Sequence, residues 1–214
     1  MPSDNNTGTR AQAGDILELL KRDHDRVDHL LDEIEATEGS DERRRSQLFA
    51  QVAAELEVHS DSEDQVVYTA LESRGGFEEL IEDARGEHEH IEQMVEDLDQ
   101  LEVTAGDWMD KIHELRQLVR HHVDEEEGTL FPKIREALDS GERSGLAEEF
   151  VASKEIEEAE VSGERPVAVP GPDSERDIES MSKKELYELA RNRHIEGRSA
   201  MTKAELVDAI RATR

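Results

Sequence analysis

Apolar residues recur at intervals of three and four through four long segments, a spacing typical of amphipathic helices. The predicted helices cover residues 15–37, 41–73, 77–102 and 107–138. Short joints separate them at 38–40, 75–76 and 105–107, and each contains a glycine. Because short joints place consecutive helices antiparallel, the pattern predicts an all-α fold, an up-down-up-down four-helix bundle.

The segments before and after this bundle differ from it in composition and predicted structure. Residues 1–14 are polar and predicted to be disordered, and the bundle is assigned to 15–140. An acidic helix at 141–159, a Pro-rich linker at 160–177 and a small C-terminal module of two short helices at 178–214 follow. Three of the five prolines lie in the linker, which indicates an extended segment.

Composition excludes several classes of protein. Aromatic residues are only 3% of the chain, which favours packed helices over a β-sandwich. The absence of cysteine excludes thiolate metal sites and thiol nucleophiles. No apolar run approaches the ~18 residues of a membrane span, and the polar first 14 residues are unlike a secretory signal. We therefore expect a cytoplasmic protein with no membrane association.

The charge is strongly negative but unevenly distributed. The chain has 55 acidic and 26 basic residues, a formal net charge of −29, which excludes whole-molecule binding to DNA or to an anionic membrane. Residues 178–214 contain eight bases and six acids, a net charge of +2, so the first 177 residues carry −31.

Four of the nine histidines share the apolar stripe of their own helix, one in each predicted helix. These inward histidines are His24, His59, His88 and His122. Those with polar neighbours at helical spacing, predicted to lie on the surface, are His29, His90, His113 and His121. Four buried imidazoles with few polar partners would each lack a hydrogen bond, and a bound metal removes that cost.

Two carboxylates accompany the inward histidines. Glu63 lies four residues after His59, and Glu126 lies four residues after His122, so each pair shares a helix face one turn apart. Solvated charges are the ordinary explanation for glutamates in so acidic a chain, but the pairing and its repetition favour a role in the site.

The two halves of the bundle repeat one another. Five residues after each glutamate comes an aromatic ring, Tyr68 in the first half and Phe131 in the second. The two inward histidines are 35 residues apart in the first half and 34 apart in the second. This pattern indicates an internal duplication of one helix hairpin, and it predicts a pseudo-twofold site of four histidines and two glutamates.

The ligand set favours iron. Six ligands are too many for one tetrahedral zinc and too rich in nitrogen for magnesium or calcium. They suit two non-haem iron ions that share bridging carboxylates and keep positions open for oxygen species or water. The predicted metal ligands are His24, His59, Glu63, His88, His122 and Glu126.

Four segments then carry a resemblance to a known family. DHDRVDHLLDEI, EVHSDSEDQVVYTAL, GEHEHIEQMVEDL and RHHVDEEEGTLFPKI resemble the hemerythrin-like (HHE cation-binding) family over about residues 12–140. The resemblance implies a four-helix bundle with a non-haem di-iron centre that binds dioxygen or responds to peroxide, nitric oxide or iron. The same six residues are the ligands that it implies.

The chain departs from the respiratory members of that family at two positions. They have a second histidine where this chain has Glu92, and they take the last bridging carboxylate from the position of Glu127 instead of Glu126. A sensor or peroxide-handling role therefore gains weight over simple oxygen carriage. Glu92 and Glu127 both stay open as additional ligands.

The C-terminal module resembles the small N-terminal module of transcription terminator Rho and, more loosely, SAP-type DNA-binding helices. Its predicted miniature core is Leu186, Leu189, Ile195, Met201, Leu206 and Ile210. Its candidate phosphate contacts are Lys183, Lys184, Arg191, Arg193, Arg198 and Lys203. The module lacks an aromatic cluster for base stacking, so a helical cap or a protein-interaction module is the alternative.

Three functions follow from these observations. The leading prediction is a di-iron protein that binds or senses dioxygen, reactive oxygen or nitrogen species, or iron, with a tethered module. One alternative is a nucleic-acid-associated regulator that uses the module and keeps the bundle as scaffold. The other is a di-iron enzyme that decomposes peroxide at an open iron position. No catalytic side chain is assigned.

Overall fold

The computed structural model describes residues 14–37, 41–161, 178, 186, 189 and 203–213. These residues form helices and connecting turns, with no strand among them. The helices are α1 (Ile16–Glu35), α2 (Glu42–Ser62), α3 (Thr69–Arg74), α4 (Glu78–Asp99), α5 (Trp108–Glu125), α6 (Phe131–Ala137), α7 (Ser140–Val161) and α8 (Lys203–Ala212).

Two π-helical segments make long helices from shorter ones. Segment π1 (Glu63–Tyr68) joins α2 to α3, and segment π2 (Glu126–Leu130) joins α5 to α6, in both cases without a break. Helix α1 packs on α2 and α4 packs on α5, while contacts of α1 with α5 and of α2 with α4 close the ring. The predicted all-α four-helix bundle is confirmed.

Local sequence sets several helix ends. Asp15 and Asp41 cap α1 and α2, because their carboxylates accept hydrogen bonds from backbone N–H groups of the first turn. Helix α3 ends at Gly75 and Gly76, whose φ angles of 75° and 85° lie in the left-handed region that glycine adopts without strain. The second long helix therefore ends at the glycine pair, as predicted.

The bundle core consists of two apolar clusters with a polar layer between them. Along α1, the first cluster ends at Leu20 and the second begins at Val27. Along α4, the first cluster ends at Ala84 and the second begins at Ile91. One inward histidine lies in each of these intervals, so the predicted metal ligands occupy the layer where the apolar core is interrupted.

Helix α7 contributes more to the core than its acidity indicates. The sequence predicts an acidic helix with no firm place in the core, but α7 packs on α1, α2 and π1. Ala147 and Phe150 are buried in the first apolar cluster. Gln65 donates a hydrogen bond to the buried carboxylate of Glu157 at 2.7 Å. Apolar contacts and hydrogen bonds together thus seat this acidic helix against the bundle.

The C-terminal residues form a separate apolar cluster. Its buried members are Ile178, Leu186, Leu206, Val207 and Ile210. Of the predicted miniature core, Ile195 and Met201 lie outside the described residues, as do residues 1–13 and 162–177. Within the described part of the chain, no helix is long and apolar enough to cross a membrane.

The placement of α7 can be tested by shortening its buried anchor. Phe150 is 1% exposed, so we expect Phe150→Ala to lower the free energy of unfolding by about 3–5 kcal/mol. Val151, the next residue, is 38% exposed, and Val151→Ala should change stability by no more than about 0.5 kcal/mol. Urea unfolding followed by circular dichroism measures both. Equal effects of the two changes would contradict the packing described for α7.

Candidate metal centre

Each of the four long helices of the bundle brings one inward histidine to the polar layer. His24 lies on α1, His59 on α2, His88 on α4 and His122 on α5. His24, His59 and His122 are buried, and His88 is half-buried. All four histidines predicted to lie on the surface are exposed.

The two glutamates lie at corresponding positions in the repeated hairpins. Glu63 is the first residue of π1 and Glu126 is the first residue of π2. Their exposed fractions are 0% and 1%. Short π-helical segments are frequent at functional sites, and here both of them begin at a predicted ligand.

The six side chains form two overlapping groups of potential ligands. One group is His24, His59, His122 and Glu126, and the other is His59, Glu63, His88 and His122. Within each group one ligand atom per residue lies within 4.8 Å of every other. The structure therefore brings together all six residues that the sequence singled out, with two histidines common to both groups.

The distances within the layer are short. Glu126 Oε2 lies 3.2 Å from His24 Nε2 and 3.5 Å from His122 Nε2. Glu63 Oε2 lies 3.4 Å from His59 Nε2 and 3.7 Å from His88 Nε2. Each glutamate is thus close to one histidine of its own hairpin and one of the other.

Buried polar atoms without hydrogen bonds indicate that the cluster fits a cation. His24 Nε2, His59 Nε2, Glu63 Oε1 and Glu126 Oε2 are all buried, and none has a hydrogen-bond partner in the described part of the chain. Leaving such atoms unsatisfied costs free energy that coordination recovers. Nitrogen and carboxylate oxygen are also the donors that iron and other transition metals accept.

Carboxylates on the outer side hydrogen-bond to the second ring nitrogen of two histidines and lie near that of a third. Glu127 Oε1 lies 3.1 Å from Nδ1 of His24, and Glu87 Oε2 lies 3.0 Å from Nδ1 of His122. Asp23 Oδ2 lies 3.6 Å from Nδ1 of a third histidine, His59. The two hydrogen bonds fix the ring orientation and turn Nε2 toward the centre, where the Nε2 atoms of His122 and His88 lie 3.0 Å apart in the metal-free protein.

Tyr68 connects the two glutamates. Its hydroxyl lies 3.1 Å from Glu63 Oε2 and 3.0 Å from Glu126 Oε1, and it can donate its one proton to either carboxylate. Tyr68 is five residues after Glu63, and the i→i+5 hydrogen bonding of a π-helix places residues at that separation on one face. The π1 segment therefore sets the tyrosine over the centre.

Burial and charge shift the pKa values of these groups in opposite directions. Burial alone lowers the pKa of His59, but the neighbouring carboxylates of Asp23 and Glu63 raise it to about 10. Burial, and then the charge of His122, lowers the pKa of His88 well below its usual range. Burial and the nearby Glu126 raise the pKa of Glu63. In the metal-free protein, protons on these side chains therefore neutralise part of the negative charge of the buried carboxylates. A bound metal cation would displace those protons and neutralise the same charge.

Sequence reasoning missed two of the three outer carboxylates, Asp23 and Glu87, although a signal for both was present. Asp23 precedes His24 and Glu87 precedes His88, so both stand immediately before the first histidine of a repeated hairpin. Glu92, an open candidate, is exposed and belongs to neither ligand group. Glu127, the other open candidate, contacts the outer nitrogen of His24.

The structure does not describe the side chains of the candidate phosphate contacts in the C-terminal module. Lys183, Lys184, Arg191, Arg193 and Arg198 lie outside the described residues. Lys203 is the first residue of α8, and its side chain is not described. Their role in nucleic-acid binding stays a prediction.

Comparison with known families assigns both parts of the chain. The Hemerythrin HHE cation binding domain matches residues 15–134. The N-terminal domain of Rho termination factor matches residues 177–214. These matches cover the bundle that carries the metal centre and the C-terminal module, respectively.

Similar proteins are found in distant organisms. The chain is 28% identical over 150 residues to a DNA nickase of Nostoc sp., an alignment that covers 69% of this chain and 41% of the nickase. It is 27% identical over 143 residues to an uncharacterized hemerythrin-like protein of Schizosaccharomyces pombe, covering 66% of this chain and 70% of that protein. The chain thus spans about two fifths of the nickase.

A solved structure shares the fold. The crystal structure of a hemerythrin HHE cation-binding-domain-containing protein from Mycobacterium kansasii superposes with a TM-score of 0.61 and 21% identity. The match covers 91% of this chain and 98% of the other. At that identity the likeness establishes the helical fold alone.

The hydrogen bonds of Tyr68 provide a test of the geometry in the metal-free protein. Tyr68→Phe removes the donor that two buried carboxylates share, so we expect a loss of about 1–3 kcal/mol in unfolding free energy with a chelator present. Ser73→Ala removes an exposed hydroxyl farther along the same long helix and should change stability by less than about 0.5 kcal/mol. Denaturant unfolding compares the two. A tyrosine variant as stable as the parent would refute the shared bond.

Proposed function

The chain belongs to the hemerythrin HHE cation-binding family, and we propose that it holds two non-haem iron ions and binds or senses dioxygen, reactive oxygen or nitrogen species, or iron. The proposed ligands are the six predicted residues of the polar layer. When bound, iron supplies one-electron chemistry toward dioxygen, peroxide or nitric oxide.

The observation that carries this proposal is the set of buried nitrogen and oxygen atoms in the polar layer that have no hydrogen-bond partner among the described residues. The two ligand groups together comprise six residues, more donors than one four-coordinate ion uses, which supports two neighbouring cation positions over one. A single tetrahedral zinc would leave two of the six residues buried and unbound, at a cost in desolvation.

The surrounding side chains prepare the centre for a small ligand. The outer carboxylates orient the histidine rings, as described above. The ring of Phe131 stacks on His24 at 6.0 Å, and the edge of Phe150 approaches His59 at 6.5 Å. These apolar rings exclude water from that side, which strengthens electrostatic interactions within the layer. The Tyr68 hydroxyl is a neutral proton donor in contact with both glutamates.

The iron proposal is tested by removing the two histidines common to both ligand groups. We expect the double change His59→Ala and His122→Ala to abolish iron binding while the helical content persists, because the bundle is held by its two apolar clusters. Iron content per chain and the near-ultraviolet absorption spectrum measure the loss, and circular dichroism measures the helices.

A matched pair of exposed histidines provides the control. His29→Ala together with His113→Ala removes two imidazoles outside the polar layer, both exposed. This variant should keep the iron content of the parent. Iron retained after loss of His59 and His122 would contradict the ligand assignment, and iron lost from the control would show that binding does not depend on the layer.

A second proposal concerns the C-terminal module. The match to the Rho N-terminal domain covers 177–214, the part of the chain with a net charge of +2. The similarity to a DNA nickase of Nostoc sp. also supports a nucleic-acid link. We propose that the module contacts RNA or DNA phosphates through its basic residues, while the acidic remainder limits the affinity.

Deleting residues 178–214 tests the module. We expect the full chain to bind single-stranded RNA or duplex DNA at low salt, with an affinity that falls as salt rises, because phosphate contacts release counterions. The truncated chain should lose this binding and keep its iron. Fluorescence anisotropy with labelled oligonucleotides follows both. If the full chain fails to bind at low salt, or the truncated chain binds equally well, the proposal is wrong.

A further inference from the structure

The duplicated hairpins reproduce several contacts around the centre. Phe131 stacks on His24 with ring centroids 6.0 Å apart and planes 16° from parallel. At the equivalent position of the other half, Tyr68 stacks on His88 at 6.0 Å and 21°. The two ends of the polar layer, the His24 end and the His88 end, are therefore built to one plan, which makes their differences informative.

Each end also has an ion pair at the equivalent position. The carboxylate of the pair contacts a histidine at the His24 end but, among the described residues, not at the His88 end. At the His24 end, Glu127 accepts from Lys21 Nζ at 2.8 Å through Oε2 and lies 3.1 Å from His24 Nδ1 through Oε1. The equivalent pair at the His88 end is Arg85 with Asp64. In the described part of the chain the Asp64 side chain does not contact His88.

Two features of the His88 end account for that difference. Aspartate is one methylene shorter than glutamate, so Asp64 has less reach across the layer than Glu127. Arg85 also contacts Glu72, and its guanidinium lies 5.8 Å from the centre of the Tyr68 ring. The arginine therefore holds Asp64 within a surface network and away from the histidine.

The two glutamates differ in which carboxylate oxygen contacts Tyr68, and this difference also favours metal binding at the His24 end. Tyr68 contacts Glu126 through Oε1, which leaves Oε2 facing His24 and His122 with no hydrogen bond. On Glu63, by contrast, Oε2 both faces its histidines and accepts from Tyr68. A cation at the His88 end thus competes with the tyrosine proton for the oxygen that faces it, whereas a cation at the His24 end does not.

We propose that the two metal positions have unequal affinity and fill in order, the position between His24 and Glu126 first and the position between His88 and Glu63 second. Glu127 is the positioning residue that creates most of the difference, because a carboxylate on the outer nitrogen fixes a histidine and raises its basicity as a ligand. This inference rests on the proposed function as a metal centre.

The magnitude of the difference follows from what such outer contacts contribute. Loss of a carboxylate behind a metal-binding histidine typically costs 10–100-fold in metal affinity. We therefore expect two separable binding steps whose dissociation constants differ by about that factor. A half-loaded protein with one metal at the His24 end would be the main species when metal is limiting.

The experiment is an anaerobic titration of the metal-free full chain with Fe(II). Calorimetry measures the heat of each binding step, and the iron content after dialysis measures how many ions remain bound. The unmodified protein should show two steps of one iron each. Glu127→Gln keeps the size of the side chain but removes its charge, and it should weaken the first step on the order of 10–100-fold so that the two steps merge. Glu127 is partly exposed, so the variant should remain folded.

Asp64→Asn is the matched control at the equivalent position of the other hairpin. It removes the same charge from the other end, where the carboxylate has no histidine to hold, and both steps should stay as in the parent. Two equal steps in the parent, or an equal loss from both variants, would overturn the ordered filling while two irons still bind. No bound iron in the parent would overturn the metal centre itself, and the inference with it.

Discussion

The structure depends on one constraint: six polar, ionisable side chains, five of them buried and one half-buried, lie in a layer between two apolar clusters. The apolar side chains of the clusters cannot hydrogen-bond to that layer, so its members must satisfy one another with the help of Tyr68 and the outer carboxylates, or bind a cation. The six residues do so only in part, since several nitrogen and oxygen atoms that face the centre have no hydrogen-bond partner. The apolar clusters hold the helices together, so the polar layer is available to bind a cation.

The repeated hairpin explains how so short a sequence builds so many ligands. Each half contributes two histidines and one glutamate, and each glutamate stands at the start of a π-helical segment. Duplication alone would give two equivalent ends. The two ends differ because equivalent positions hold different side chains, Tyr68 or Phe131 at one and Asp64 or Glu127 at the other. These differences leave the helices themselves alike.

Helix α7 connects the centre to the rest of the chain. Lys154 on α7 donates a hydrogen bond to Asp23 at 2.8 Å, and Asp23 lies beside the outer nitrogen of His59. Phe150 of the same helix touches the His59 ring from the apolar side. The covalent path from the bundle to the C-terminal module therefore runs through a helix that is in contact with the metal centre on one face.

The sequence by itself determined the four long helices, the inward direction of His24 and His88, and the pairing of each glutamate with a histidine four residues before it. All of these depend on helical periodicity, which is local. Only the tertiary structure decided which carboxylate lies behind which histidine and that Tyr68 reaches Glu126 in the other hairpin. Those contacts cross between helices, and their register is set by the packing of the whole bundle, a property that no single helix face encodes.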